Sequence, residues 1–459
     1  MKLLKPAEPT HRIVLVTPPS SIVPFYSTGA KQTKSSQVPT IPMLPLGVAY
    51  IAAALERAHW DVKVFDLTFT MEDRLDTSRI QQEITRLNPS IVGLSSFTST
   101  ILSIYKIANA LKQVYPTRPI VLGGPHATAL PYRTLQECPG LDAVIVGEGE
   151  QTFQQFAEAW VAHEPPQQLA TIPGVVVKEG QHILGNPQPV YISNLDSLPI
   201  PARHLFNTKQ YADCSHYFDA RNPPVASMIT SRGCPHACIY CSRVNSGYRF
   251  RARSPQNVLL ELQDLRDQGY REIQIVDDDF TEDRDRVLTL CRLITENKLG
   301  LSFNLLGGLR VDKVDAELLT QMYEAGCYLI HFGAESGDDA VLQYNRKGIT
   351  VKQIIEAVHL AKKIGFTVII YIIIGLPSSS LDSEKKTLAM INQCAPDGTR
   401  ASICTPYPGS PLWEQMKDQL QNIPWDRFNE SDISHPAYMT EQIKTQLQFW
   451  MDMVGVTIS

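Results

Sequence analysis

The residues of this chain with the clearest chemical purpose are Cys234, Cys238 and Cys241, spaced C-x3-C-x2-C within Ser231-Arg232-Gly233-Cys234-Pro235-His236-Ala237-Cys238-Ile239-Tyr240-Cys241. Three thiolates so spaced on one loop can converge on one metal centre. They bind three irons of a [4Fe-4S] cluster and leave the fourth iron open to another molecule. The rival is a closed zinc site, which needs four ligands and would take His236 or Cys214 as the fourth. The apolar run Val225-Ala226-Ser227-Met228-Ile229-Thr230 reads as a buried strand. It delivers the thiols to a strand's C-terminal end, where parallel α/β folds build their active sites.

Other reactive residues follow apolar runs in the same way. Glu272-Ile273-Gln274-Ile275-Val276 leads to Asp277-Asp278-Asp279. Those carboxylates repel one another unless cations or hydrogen-bond donors lie beside them, and a helix N-cap with a solvated turn accounts for one or two. Ser302-Phe303-Asn304-Leu305-Leu306 leads to Gly307-Gly308-Leu309-Arg310. The Arg310 guanidinium suits a ligand carboxylate, or an ion pair with Asp312 or Asp315. Tyr328-Leu329-Ile330-His331-Phe332 leads to Gly333-Ala334-Glu335-Ser336-Gly337, where Glu335 can accept bonds from two ribose hydroxyls. With two further strands ending near 374 and 404, six strand–helix units predict a partial (β/α)6 barrel, open at one side.

The first half also alternates strand and helix, which predicts a doubly wound parallel sheet. Its strand ends carry Thr17-Pro18-Pro19, Ser95-Ser96-Phe97-Thr98, Gly123-Gly124-Pro125-His126 and Gly147-Glu148-Gly149-Glu150. Glycines there let a backbone approach a ligand, and hydroxyls bond its polar groups. No G-x-G-x-x-G follows the first strand, which argues against a dinucleotide site. The polar stretch up to about Leu44 is long enough to be functional.

With Tyr240 before its last cysteine, the C-x3-C-x2-C loop resembles the cluster loop of radical S-adenosylmethionine (SAM) enzymes, and Gly-x-Glu-Ser-Gly at 333–337 matches a second motif of that superfamily. Pro45-Leu46-Gly47, Ser95-Ser96, Gly123-Gly124-Pro125-His126 and Val146-Gly147-Glu148-Gly149-Glu150 resemble the cobalamin-binding domain that precedes many radical SAM domains. The resemblance implies a [4Fe-4S] cluster on Cys234, Cys238 and Cys241, with SAM chelated to the open iron. It places Tyr240 near adenine, Asp278 near the SAM ammonium, Arg310 on its carboxylate and Glu335 on its ribose. Cobalamin would then lie against Ser95, Ser96, Gly123, Gly124, Gly147 and Glu148, with His126 near its tail. The Asp-x-His-x-x-Gly motif that supplies a histidine to cobalt is replaced by Thr17-Pro18-Pro19-Ser20, so the resemblance implies cobalamin without that ligand. Ser378-Ser379-Ser380 likewise replaces the usual Gly-Glu-Thr after Gly375-Leu376-Pro377.

The expected layout is a Rossmann-like cobalamin-binding domain (1–194), a linker (195–224), a TIM-like radical SAM barrel (225–411) and a short tail (412–459) whose aromatic residues pack or cap the barrel mouth. The implied reaction is methylation of an unactivated carbon in a small molecule, by way of a 5′-deoxyadenosyl radical. An anaerobic oxidative cyclisation, as in magnesium-protoporphyrin cyclase, is the second reading, and a cobalamin or cluster sensor the third. An electron donor such as flavodoxin or ferredoxin is implied.

Composition narrows the setting. The 459 residues carry a net charge of −5, which argues against nucleic acid as partner, and Arg243, Arg249, Arg251 and Arg253 form one local basic cluster, either solvated or facing an anionic ligand. Val368–Ile374 is too short to span a membrane. Nine cysteines with no leader-like start point to the reducing cytoplasm.

Overall fold

The computed structural model describes residues 11–19, 22–24, 37–39, 43–213, 220–429 and 440–454. Cys214 and most of the polar stretch between 20 and 42 lie outside them. In the first sheet the spatial order is Asp61–Phe65, Arg12–Val16, Ile91–Ser95, Ile120–Gly123 and Ala143–Ile145, all parallel. Alternate residues feed two cores. Val14, Val92, Ile120 and Val144 face one helix layer, while Ile13, Ile91, Val121 and Ala143 face the other. Strands buried on both faces read as continuous apolar runs, which is why they were legible. An antiparallel hairpin, Val175–Glu179 with His182–Gly185, extends the edge beyond the expected parallel strands.

The strand order reverses between Arg12–Val16 and Ile91–Ser95, so a crevice opens outside their C-terminal ends.

In the second domain Val225–Met228, Glu272–Ile275, Ser302–Leu309, Cys327–Glu335, Thr367–Ile374 and Gly398–Ile403 pair in parallel and in chain order. Among the described residues the first and last strands do not pair, which leaves the expected open side. Outward residues such as Ile273, Leu305, Phe332 and Ile370 pack under the helices. The alternate positions are more polar. Buried Glu272 accepts from Asn304 Nδ2 at 2.7 Å, Tyr328 Oη at 2.6 Å and Asn222 N at 2.8 Å, and so plugs the N-terminal end of the barrel.

The tail divides its work. Trp413, Leu420, Trp425 and Phe428 join the core of the first domain rather than capping the barrel. Trp425 donates to Glu137 at 2.8 Å, lies beneath Arg133 and meets the His126 ring edge-on at 4.8 Å. The final helix, Glu441–Val454, covers the strand ends at Ile374 and Ile403. This tail therefore staples the second domain to the first. Trp425→Ala is expected to lower the unfolding free energy by about 3–5 kcal/mol, read by urea denaturation with circular dichroism; a loss below about 1 kcal/mol would show that the staple carries no load.

Candidate active site

The cysteine loop is held by the three aspartates at the end of the neighbouring strand. Asp277 accepts from Thr230 N at 2.6 Å, from the Thr230 hydroxyl and from Ser231 Oγ at 2.7 Å. Burial lifts its pKa above the usual carboxylate range, even with Arg286 and these donors opposing. Asp278 accepts from Gly233 N at 2.8 Å. Asp279 meets His236 Nε2 at 3.0 Å, which Glu282 also approaches at 3.2 Å. Gly233 needs its φ of +84°, because a Cβ there would lie 2.3 Å from Arg249 O. The acidic turn is thus a clamp on the loop, and the expected N-cap falls instead on Asp283.

The donor set bears on the two metal readings. Ligands of one zinc ion with bonds of about 2.3 Å lie within about 4.6 Å of one another. Among the described residues the three thiols do not form such a group, whereas Cys234, His236 and Asp279 lie within 4.8 Å of one another. Three thiols on one loop are the set that suits one iron each of a cluster. Without metal, burial pushes the Cys234 thiol up to about 11 and that of Cys241 to about 12; a cluster bound there would hold them as thiolates.

Glu335 closes its strand in the left-handed region, φ +65°, a conformation that strains a non-glycine residue at a functional edge. Its Oε1 accepts from Lys347 Nζ at 2.8 Å. Burial penalises that ammonium, but Glu335 overrides it and holds the Lys347 pKa above its ordinary value. Arg310 is engaged by the protein: Asp312, two residues away, takes its Nε and Nη2 at 2.9 and 3.0 Å, and Lys347 O takes Nη1 at 2.7 Å. Apart from the neighbouring Cys238 thiol, the buried Tyr240 hydroxyl has no partner. Tyr240, Asp278 and Glu335, the last held by Lys347, are therefore the residues around the cluster loop that fit SAM.

A cavity of about 1020 Å³ lies where the strand ends of the two sheets face each other. Its first-domain wall includes Leu15, Pro18, Ser95, Gly123, Gly124 and Glu148, and its second-domain wall includes Arg232, Val244, Val276 and Asp278. A Cβ at Gly47 would meet nothing within 4 Å, and one at Gly123 only Ile145 O at 3.8 Å, so both leave open room on the wall. Gly124, at φ +98°, passes so close to Ser96 that a Cβ would lie 2.5 Å from its carbonyl. Size, apolar lining and open backbone fit cobalamin, and among the described lining residues there is no histidine. Thr17 serves the fold, donating to Asp66 at 2.9 Å and accepting from Leu67 N at 2.7 Å. Ser96 is wholly buried behind the wall. His126 is also off the wall, fully buried with Nδ1 3.3 Å from Thr98 Oγ1 and its ring against Trp425. The carboxylate of Glu148 is taken by Arg251 Nη1 at 2.8 Å and Ile192 N at 2.6 Å. The residues missed by sequence reasoning are thus Lys347, Arg232 and Glu150. Arg232 pairs with Glu150 at 2.7 Å and Glu148 at 3.2 Å across the domain seam. Arg251 and Arg253 of the basic cluster are buried in that seam, and Arg253 shares Glu261 with Arg203.

Comparison with known proteins matches residues 40–157 to the B12 binding domain and 228–391 to the Radical SAM superfamily. An uncharacterized methyltransferase of Pyrococcus horikoshii is 32% identical over 95% of this chain and 91% of its own. Anaerobic magnesium-protoporphyrin IX monomethyl ester cyclase of Cereibacter sphaeroides is 27% identical over 86% of this chain and 64% of its own. The solved radical SAM methyltransferase TsrM from Kitasatospora setae, with cobalamin and a [4Fe-4S] cluster bound, shares the fold at TM-score 0.71 and 18% identity, covering 90% of this chain and 76% of that one.

Burial, with Arg133 adding to it, depresses the His126 pKa to about 3 from the 6.5 of a free histidine. Between those values the unfolded chain binds a proton that the folded chain refuses, so stability falls as pH drops through the window. Between pH 7 and pH 5 this group is expected to cost about 2 kcal/mol. His126→Gln should remove that share of the acid sensitivity in urea unfolding, and an unchanged pH slope would refute it.

Proposed function

This chain belongs to the radical SAM superfamily, in the branch that carries a B12-binding domain, and from that premise we propose that it transfers a methyl group to an unactivated carbon of a small molecule. The observation that carries the reading is a cavity walled by the strand ends of both domains, with residues on either side of the cysteine loop in its wall and no histidine among its described lining residues. When bound, the cluster and SAM supply reducing electrons and a radical source, and cobalamin carries the methyl group.

The chain's own residues place and shield these partners. Cys234, Cys238 and Cys241 would hold the cluster, on a loop kept in place by Asp277 and Asp278. Tyr240 and Glu335 would orient SAM, with Lys347 holding the Glu335 carboxylate. Ser95, Gly123, Gly124 and Gly147 would let cobalamin lie against bare backbone. Leu15, Val16, Val121 and Ile145 keep the floor of the cavity apolar, which excludes water from a radical reaction. A flavodoxin or ferredoxin would deliver the electron. No described helix is long and apolar enough to cross a membrane. The eight described cysteines are free, which supports a setting in the reducing cytoplasm.

The test is anaerobic reconstitution with iron, sulfide and hydroxocobalamin, then reduction and incubation with SAM. Mass spectrometry should find 5′-deoxyadenosine and S-adenosylhomocysteine together, and Cys238→Ala should abolish the deoxyadenosine. Deoxyadenosine alone, with no S-adenosylhomocysteine, would move the assignment to an oxidative cyclisation. A zinc-loaded protein that yields neither product would overturn the family chemistry for this chain.

A further inference from the structure

Two residues before the first cluster cysteine, the chain forms a short ribbon in which Ser231–Arg232 pairs antiparallel with Arg251–Ala252, setting Arg232 directly opposite Arg251. Like charges directly opposite on a ribbon repel. The carboxylates that hold this pair together come from the other domain. Glu148 takes Arg232 on Oε1 at 3.2 Å and Arg251 on Oε2 at 2.8 Å, while Glu150 takes the second Arg232 nitrogen at 2.7 Å. The four side chains are between 3% and 11% exposed, so each charge depends mainly on its partner rather than on bulk water. The Arg232 guanidinium also lies over the Tyr50 ring at 5.0 Å. Tyr50 stands on the helix Leu46–Arg57, whose first residues line the large cavity, as do Gly147–Glu150 and Arg232 itself.

We propose that this ribbon is a positioning device, in which Arg232 ties the walls of the cobalamin cavity to the cysteine loop so that filling either site organises the other. The inference rests on the cavity taking cobalamin. A ligand seated against Gly147–Glu150 and Leu46–Gly47 restrains the two carboxylates and the tyrosine that grip Arg232. A cluster on Cys234 restrains the same arginine from the opposite side, through Gly233. Linkage makes the effect reciprocal: the factor by which a cluster tightens cobalamin binding equals the factor by which cobalamin tightens the cluster. Sequence proximity alone predicts no such coupling, because Glu148 and Glu150 belong to a different domain from the cysteines.

The experiment titrates hydroxocobalamin by absorbance into protein with a reconstituted cluster and into the same protein stripped by a chelator. A second readout is the rate at which the chelator removes iron, with and without cobalamin. In the wild type, the cluster should tighten cobalamin binding by at least about fivefold, and cobalamin should slow iron loss by a similar factor. Glu150→Gln keeps the shape and removes one charge; Arg232→Lys keeps the charge and loses the two-carboxylate fork. In both, the two factors should fall below about twofold, whatever the shift in the cobalamin affinity of the cluster-free protein. A wild-type factor near one would overturn the inference, as would a full wild-type factor in both variants. Wild-type protein that binds no cobalamin in either state would overturn it together with the cavity reading, and so separates the two failures.

Discussion

Burying charge at a domain seam is tolerable only when each charge is paired, and the arrangement of this molecule depends on that constraint. Two sheets present their strand ends to each other, which brings loops rich in polar residues into a dry interface. Arg203, Arg232, Arg251 and Arg253 enter the seam, and each meets a carboxylate of Glu148, Glu150 or Glu261. Such pairs add little to stability compared with apolar packing, but breaking one strands its partner. The pairs of Arg232 and Arg251 with Glu148 and Glu150 cross between the domains and therefore fix the register in which the two meet. The cavity has its shape because the register has no cheap alternative.

The same economy governs the cysteine loop. A loop meant to hold a metal cluster must persist before the metal arrives, and its three free thiols do not tie it down. Asp277, Asp278 and Asp279 supply that order by accepting from Thr230, Ser231, Gly233 and His236 in succession. Adjacent carboxylates that looked like a solvated turn are each directed at a different part of one loop. Their mutual repulsion is offset by these donors and by Arg286.

What could be read from the sequence followed from how local each interaction is. The strands were plain because apolar runs buried on both faces leave no other reading, and the cysteines because their spacing is itself the signal. The tie between Arg310 and Asp312, two residues apart, was visible as one of two choices. The seam was not. Arg232 finds Glu150 across 82 residues and Arg251 finds Glu148 across 103, and no periodicity links such positions. His126 misled for a related reason: it follows a glycine pair at a strand end, yet Trp425, almost three hundred residues later, buries its ring away from the cavity. The edge hairpin was missed because Val175–Glu179 has the same apolar composition as a parallel strand, and composition does not tell the direction in which it joins Ala143–Ile145.

Pairing of the buried cations also bears on how the site recognises what it binds. Arg310 is spent on Asp312, Lys347 meets Glu335, and Arg232 and Arg251 are spent on the glutamates. These cations therefore serve to aim carboxylates and loops more than to attract anions. A ligand entering this cavity meets apolar walls, bare backbone at Gly47 and Gly123, and a few oriented polar groups. Discrimination in such a site comes from shape and from matching fixed hydrogen-bonding groups, because a ligand with unmatched charge would have to break an existing pair to find a partner. The walls thus favour bulky, largely apolar molecules with compensated charge, which is the character that a site for radical chemistry on unactivated carbon requires.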